Sequence, residues 1–155
     1  MVIENQKLLQ QSGGKLLTFF LDNCEYGIQI LEAREVVELM RIDPIPRAPA
    51  FMKGVINLRG RITPVIDLKM KFGFTKIVRQ QENCIIIVEL FQMSAGMIVD
   101  KLAGVIGITK EDYEPSPKLG NNVNSQFIDG IIKINQRIIF VLAVSKVFEN
   151  CELIS

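Results

Sequence analysis

The sequence predicts an all-β protein made of two small barrels packed together, with a few short helices, and three observations carry that prediction. From Lys15 onward the chain reads as short runs rich in Ile, Val and Phe, broken by Gly, Pro, Asn and Asp, which is strand-and-turn patterning. A strand–turn–strand unit recurs at a fixed spacing, so the chain is duplicated. Hydrophobic residues make up 48% of its 155 positions, enough to fill a sizeable core and to exclude wholesale disorder.

In chain order, residues 1–14 are expected to be a flexible tail ending in Ser12-Gly13-Gly14. Lys15 to Leu21 reads as a strand, Asp22-Asn23-Cys24-Glu25 as a hairpin loop, and Tyr26 to Ile30 as the returning strand. Within Leu31 to Met40, Leu31-Glu32-Ala33-Arg34 suits one helical turn and Val36-Val37-Glu38-Leu39 suits a strand. Four short helices carry end signals. Pro49 would open a turn over Pro49 to Lys53, closed by Gly54. Asp67 would cap Leu68 to Phe72, with Gly73 as terminator. Thr109 would cap Lys110 to Tyr113, with Asp112 in the capping-box position, and Ser145 would cap Lys146 to Asn150. None is long enough to be stable alone, so each must pack on a sheet.

The repeat is the strongest signal. Met52 to Asn57, Leu58-Arg59-Gly60-Arg61 and Ile62 to Asp67 recur 76 residues later as Ile128 to Lys133, Ile134-Asn135-Gln136-Arg137 and Ile138 to Ala143. Gly54 thereby aligns with Gly130, and Arg61 with Arg137. An earlier block, Tyr26-Gly27-Ile28 leading to Val36-Val37, recurs 69 residues later as Ala95-Gly96-Met97 leading to Val105-Ile106. The Pro44/Pro46 stretch recurs as Pro115/Pro117 at a spacing of 71. Two β halves of this size suggest one domain over 15–150, divided near 15–80 and 81–150 with strands exchanged at the boundary, and a tail over 151–155. Closing each sheet into a barrel removes most exposed strand edges. A single open β-sandwich is the competing architecture.

Composition excludes more chemistry than it suggests. The chain has no histidine, which removes the commonest general base and metal ligand. Its acidic residues are scattered, and Asp100 reads as a turn or edge residue. Gly13-Gly14-Lys15 lacks the upstream glycine, the following Ser or Thr and the preceding strand of a phosphate loop. No catalytic residue, cofactor site or metal site is expected. Cys24, Cys84 and Cys151 are odd in number and far apart, which fits reduced thiols better than disulfides or zinc. A net charge of +1, two tyrosines and no tryptophan argue against a nucleic-acid-binding barrel. No apolar run reaches membrane-spanning length.

What remains is the Asn57-Leu58-Arg59-Gly60-Arg61 turn. Hairpin chemistry accounts for Asn57 and Gly60. It accounts less well for two arginines where the repeated turn carries one. An arginine on a rigid turn presents a planar fork to carboxylates or carbonyls at low entropic cost. The residues alone leave structure and binding both open here.

Phe51 to Gly60 and Pro64 to Leu68 resemble the central signature of CheW-type coupling proteins of bacterial chemotaxis. Tyr26-Gly27-Ile28, Glu35-Val36 and Pro49-Ala50-Phe51 resemble the segment before it. Gly96 to Asp100, the Pro115/Pro117 stretch and the Gly130 and Ile138 strands resemble the second half, so the likeness runs from about Lys15 to Asn150. The resemblance implies two SH3-like five-stranded barrels and no enzymatic activity. It implies a cytoplasmic scaffold, recruited to membrane-bound receptor arrays without inserting in the membrane, that joins a chemoreceptor tip to the regulatory domain of the histidine kinase CheA. An adaptor for another two-component array would show the same residues. On this likeness, Arg59, Asn57 and Gly54 would sit at a receptor groove between the barrels, with Ala33, Glu35 and Val36 near it. The kinase-facing residues are not assigned.

Overall fold

The computed structural model describes residues 14–74, 81–114 and 126–149. The strands run β1 (Lys15–Leu21), β2 (Cys24–Gln29), β3 (Ala33–Glu38), β4 (Met52–Leu58), β5 (Arg61–Asp67), β6 (Cys84–Leu90), β7 (Met93–Val99), β8 (Lys101–Gly107), β9 (Tyr113–Glu114), β10 (Ile128–Ile134) and β11 (Arg137–Leu142). Helix α1 (Leu68–Lys71) follows β5 and α2 (Val144–Val147) follows β11. Two sheets form, in the orders β3-β6-β7-β5-β4 and β8-β1-β2-β11-β10-β9. Strands from residues 33–99 therefore make one sheet, while residues 15–29 and 101–142 make the other. Both cysteines within the described residues, Cys24 and Cys84, are free thiols.

The duplication holds in the hydrogen-bond register. β4 pairs β5 with a bulge between Met52 and Gly54, and β10 pairs β11 with a bulge between Ile128 and Gly130. β5 lies parallel to β7 with Val65 opposite Gly96, and β11 lies parallel to β2 with Val141 opposite Gly27. Each sheet closes the same way. After β3 the chain crosses to β4, where Asp43 and Val55 exchange two backbone hydrogen bonds of 2.9 Å. After β8, β9 reaches β10 with Glu114 opposite Ile131. Joining the first and last strands in this manner is what makes each sheet an SH3-like barrel.

Alternation along the strands then yields three cores rather than two. Leu16, Ile132, Ile139 and Val141 fill one barrel. Ile56, Val65, Ile85, Ile87 and Ile98 fill the other. The residues between them in sequence, among them Leu17, Phe19, Ile86, Val88, Met97 and Leu142, meet in a larger core between the barrels. Strands shared by two cores are apolar on both faces, which is why Cys84 to Val88 reads as an unbroken hydrophobic run. Tyr26 sits at the centre of the middle core, its ring 6.2 Å from Phe19, 5.9 Å from Phe72 and 5.6 Å from Phe140.

Local expectations fare unevenly. Asp67 caps α1, accepting from the Met70 N–H at 3.2 Å, and Gly73 follows at φ 86°. Thr109 and Asp112 form the capping box, with the Thr109 N–H donating to Asp112 Oδ2 at 2.9 Å. The Asp22–Glu25 loop is shorter than its sequence suggests: Asp22 and Asn23 alone make the turn, and Cys24 and Glu25 already pair with β1. Pro49 to Lys53 is not a helix. It makes one turn closed by Met52 N–H to Pro49 C=O at 3.0 Å, because pairing with Ile66 draws Met52 into β4. α2 starts at Val144 with Ala143 as its cap, so Ser145 lies inside it. The expected tails and the Pro115/Pro117 stretch fall largely or wholly outside the described residues.

The chain crosses between sheets at two points. The second is the single residue Asp100, between β7 and β8. The first is a 3-10 turn, Ile30–Glu32, where burial and then the charge of Asp129 push the Glu32 carboxyl up from 4.5 to about 7, against a lowering hydrogen bond from the Gln29 backbone. A carboxyl whose folded value is raised favours the protonated form. Its stabilising contribution is complete below about pH 4.5 and is lost as pH rises through 7, with a span of at most roughly 3 kcal/mol. Glu32→Gln is therefore expected to flatten the fall in unfolding free energy between pH 5 and pH 8. An unchanged slope in urea titrations across that range would remove Glu32 as its source.

Candidate protein-docking surface

The β4–β5 turn is built from Arg59 at φ 51° and Gly60 at φ 85°, the paired left-handed geometry of a two-residue hairpin. The Asn57 carboxamide locks it, Oδ1 accepting the Gly60 N–H at 2.8 Å. Thus fixed, the turn aims the Arg59 guanidinium across the barrel mouth, where Nη2 pairs with the Glu35 carboxylate on β3. β3 and β4 are the two ends of the five-stranded sheet, so this pair spans the closure of the barrel. Hydrogen bonding to Glu35, and then its charge, raise the guanidinium pKa further. Arg59 still keeps 68% of its side chain in solvent, against 26% for Glu35. The result is a guanidinium held in one orientation with most of its fork facing outward, suited to donate to a carboxylate or carbonyl of a partner.

The other predicted site residues lie elsewhere. Ala33 and Val36 sit opposite Val88 and Ile86, which belong to the core between the barrels, so they border the seam rather than the barrel mouth. Val36 is exposed and Ala33 packs partly against that core. Gly54 is buried beneath the Asp43–Pro44 backbone and is inaccessible to a partner. The structure therefore joins Arg59, Asn57 and Glu35, sets Ala33 and Val36 along a neighbouring seam, and takes Gly54 out of any contact surface.

Two residues not assigned to the site from the sequence occupy the equivalent places in the other half. Leu102 and Val105 on β8 stand 69 residues after Ala33 and Val36, opposite Phe19 and Leu17 of the same middle core, and both are exposed. The repeat spacing could have found them. A second apolar surface lies at the end of the five-stranded barrel, where Ile62 and Phe91 are 69% and 83% exposed and Met93 is also exposed. β5 and β7 run parallel, so Ile62 and Met93, near their starts, lie toward the same end of the barrel.

Duplicated SH3-like barrels with exposed apolar residues on equivalent edge strands and a rigidly held arginine define a protein–protein scaffold. Residues 15–152 match the CheW-like domain family, and the chain belongs to that family. A chemotaxis protein CheW of Klebsiella aerogenes is 30% identical over 141 residues, covering 91% of this chain and 85% of that protein. One of Helicobacter pylori is 31% identical over 148 residues, covering 95% and 86%. The crystal structure of the scaffolding protein TtCheW from Thermoanaerobacter tengcongensis superposes with a TM-score of 0.82 at 39% identity, over 88% of this chain and 92% of that one. No helix among the described residues is long and apolar enough to cross a membrane.

Proposed function

We propose that the chain is a non-enzymatic, cytoplasmic coupling scaffold that binds the tip of a chemoreceptor and the regulatory domain of the histidine kinase CheA together. The observation that supports this most is a matched pair of exposed valines. Val36 and Val105 hold equivalent places in the two halves, each outward-facing beside the middle core, with nothing in the described chain covering them. A helical hairpin can lay an apolar face against such exposed strands, and Arg59, held by Glu35 next to Val36, supplies a polar contact. The kinase domain takes the apolar end at Ile62, Phe91 and Met93, on the same end of the barrel as the Arg59 turn, and the receptor takes the exposed faces of β3 and β8. Signal then passes as a difference in binding free energy between receptor states, with no covalent step by the scaffold.

Binding of wild type and Arg59→Ala to an immobilised receptor cytoplasmic fragment and to the kinase regulatory domain tests this. Arg59→Ala is expected to weaken receptor binding about tenfold or more and to weaken kinase binding less. Its melting temperature should move little, because exposed ion pairs contribute little to stability. Wild type that binds neither bait ends the coupling reading. Equal weakening toward both baits ends the assignment of Arg59 to the receptor side.

A further inference from the structure

The two crossovers between the barrels occupy equivalent places in the duplicated chain, yet they are built from opposite chemistry. At the second, Lys69 on α1 points inward with 5% of its side chain exposed. Its Nζ donates to Asp22 Oδ1 at 2.7 Å and to Asp100 Oδ2 at 3.1 Å. Asp100 Oδ2 also accepts the Asp22 backbone N–H at 2.7 Å, and the Asp100 N–H donates to the Phe20 carbonyl at 3.1 Å. Three parts of the molecule meet here: α1, which extends the five-stranded sheet, the β1–β2 turn of the other sheet, and the residue that links them. Shifted by the repeat spacings of 76 for Lys69, +69 for Asp22 and −69 for Asp100, the same three places hold Ser145, Phe91 and Leu31. Phe91 and Leu31 are 83% and 69% exposed.

This contrast separates fold from fine geometry. The second copy of the barrel closes, with its helix and its bulge, without any such triad, so the triad is not what the fold requires. Nor is a buried ammonium a cheap source of stability, since its desolvation offsets much of what its partners return. What buried ion clusters do well is fix one arrangement against near alternatives, because any sliding of one element leaves a charge buried without a partner.

We propose that Lys69 is a positioning residue that, through Asp22 and Asp100, pins the second crossover and so fixes the angle between the two barrels, whereas the three equivalent places at the first crossover carry no charged side chain. The pin concerns the molecule by itself. Its consequence, that receptor and kinase surfaces are held in a defined relation, rests on the coupling reading above.

The test places spin labels on the two barrels at Lys133→Cys and Arg61→Cys, both exposed, in the full chain with Cys24→Ser, Cys84→Ala and Cys151→Ser. Inter-label distances are then measured without partners. Lys69→Met is expected to shift or broaden the distance distribution while the chain melts cooperatively. Asp22→Asn keeps a hydrogen-bond acceptor and removes one charge at the more exposed partner, so it should give a smaller change in the same direction. It also serves if Lys69→Met fails to fold. A folded Lys69→Met, or otherwise Asp22→Asn, with the wild-type distribution and only a lowered melting temperature overturns the pin and leaves a stability role alone. In parallel, a folded Lys69→Met should bind each bait singly as wild type does but lose kinase activation in the three-component mixture. If wild type binds neither bait, the coupling reading fails while the distance result still decides the pin.

Discussion

Gly54→Ala should destabilise the protein by roughly 3–5 kcal/mol, the range reached when backbone strain and a hard clash act together. A Cβ at residue 54 would lie 2.1 Å from the Asp43 carbonyl oxygen, 2.7 Å from its carbon and 2.9 Å from the Pro44 Cα. Those atoms are backbone, so no rotamer change relieves them. The φ of 141° adds strain for any residue with a side chain. The clash falls on the Asp43–Val55 exchange that closes the barrel, so relief would require opening the closure. Gly60 and Gly73 provide the control, having positive φ but nothing within 4 Å of a built Cβ; alanine there should cost about 1 kcal/mol. Urea unfolding of the three variants checks this. A Gly54→Ala loss as small as that of Gly60→Ala would mean the 43–44 segment moves aside freely.

That result bears on how a sequence displays its own constraints. The duplication was legible because a strand, a two-residue turn and a strand leave a rigid spacing, and the 76-residue offset carries over to the bulges and to the helices that follow. The closure was not legible. Asp43 meets Val55 across an irregular stretch, and nothing local marks an aspartate that pairs as backbone. By residue type Gly54 reads as a helix stop beside a binding turn, whereas its absent side chain makes room for a passing chain. Pro49 misled for a related reason: its fixed φ suits a helix start, but the strand register claimed Met52 first.

The candidate site divides along the same line. Asn57 and Gly60 declare a hairpin by residue type, and Arg59 is visible as an unexplained charge on it. Glu35, 24 residues away and on the opposite edge of the sheet, becomes its partner only once the sheet curls. Lys69 carries no mark in the sequence, because lysine is ordinarily a solvated residue and its burial depends on two aspartates distant in sequence. Leu102 and Val105 stood in the repeat spacing, but their exposure depends on β8 being an edge strand.

The repeat also sets up a comparison between two arginines. Arg137 and Arg61 share one place in the two halves, yet Arg137→Ala should cost roughly 3 kcal/mol and Arg61→Ala less than about 0.5 kcal/mol. Arg137 grips Glu25 with both arms, Nε to Oε1 at 3.1 Å and Nη2 to Oε2 at 2.5 Å. The Glu25 side chain is only 6% exposed, so truncating Arg137 strands a carboxylate inside the protein. At the position 69 residues beyond Glu25 stands Ser94, which gives the exposed Arg61 no carboxylate to hold. A double-mutant cycle over Arg137→Ala and Glu25→Gln isolates the pair. Glu25→Gln should recover much of the loss in the Arg137→Ala background, since the stranded charge is then gone. Additive losses would show instead that Arg137 contributes by packing its stem. If the coupling energy is large, the two halves have divided their labour at one inherited position: one arginine is committed to holding β11 against β2, and its counterpart beside the docking turn has no carboxylate partner among the described residues.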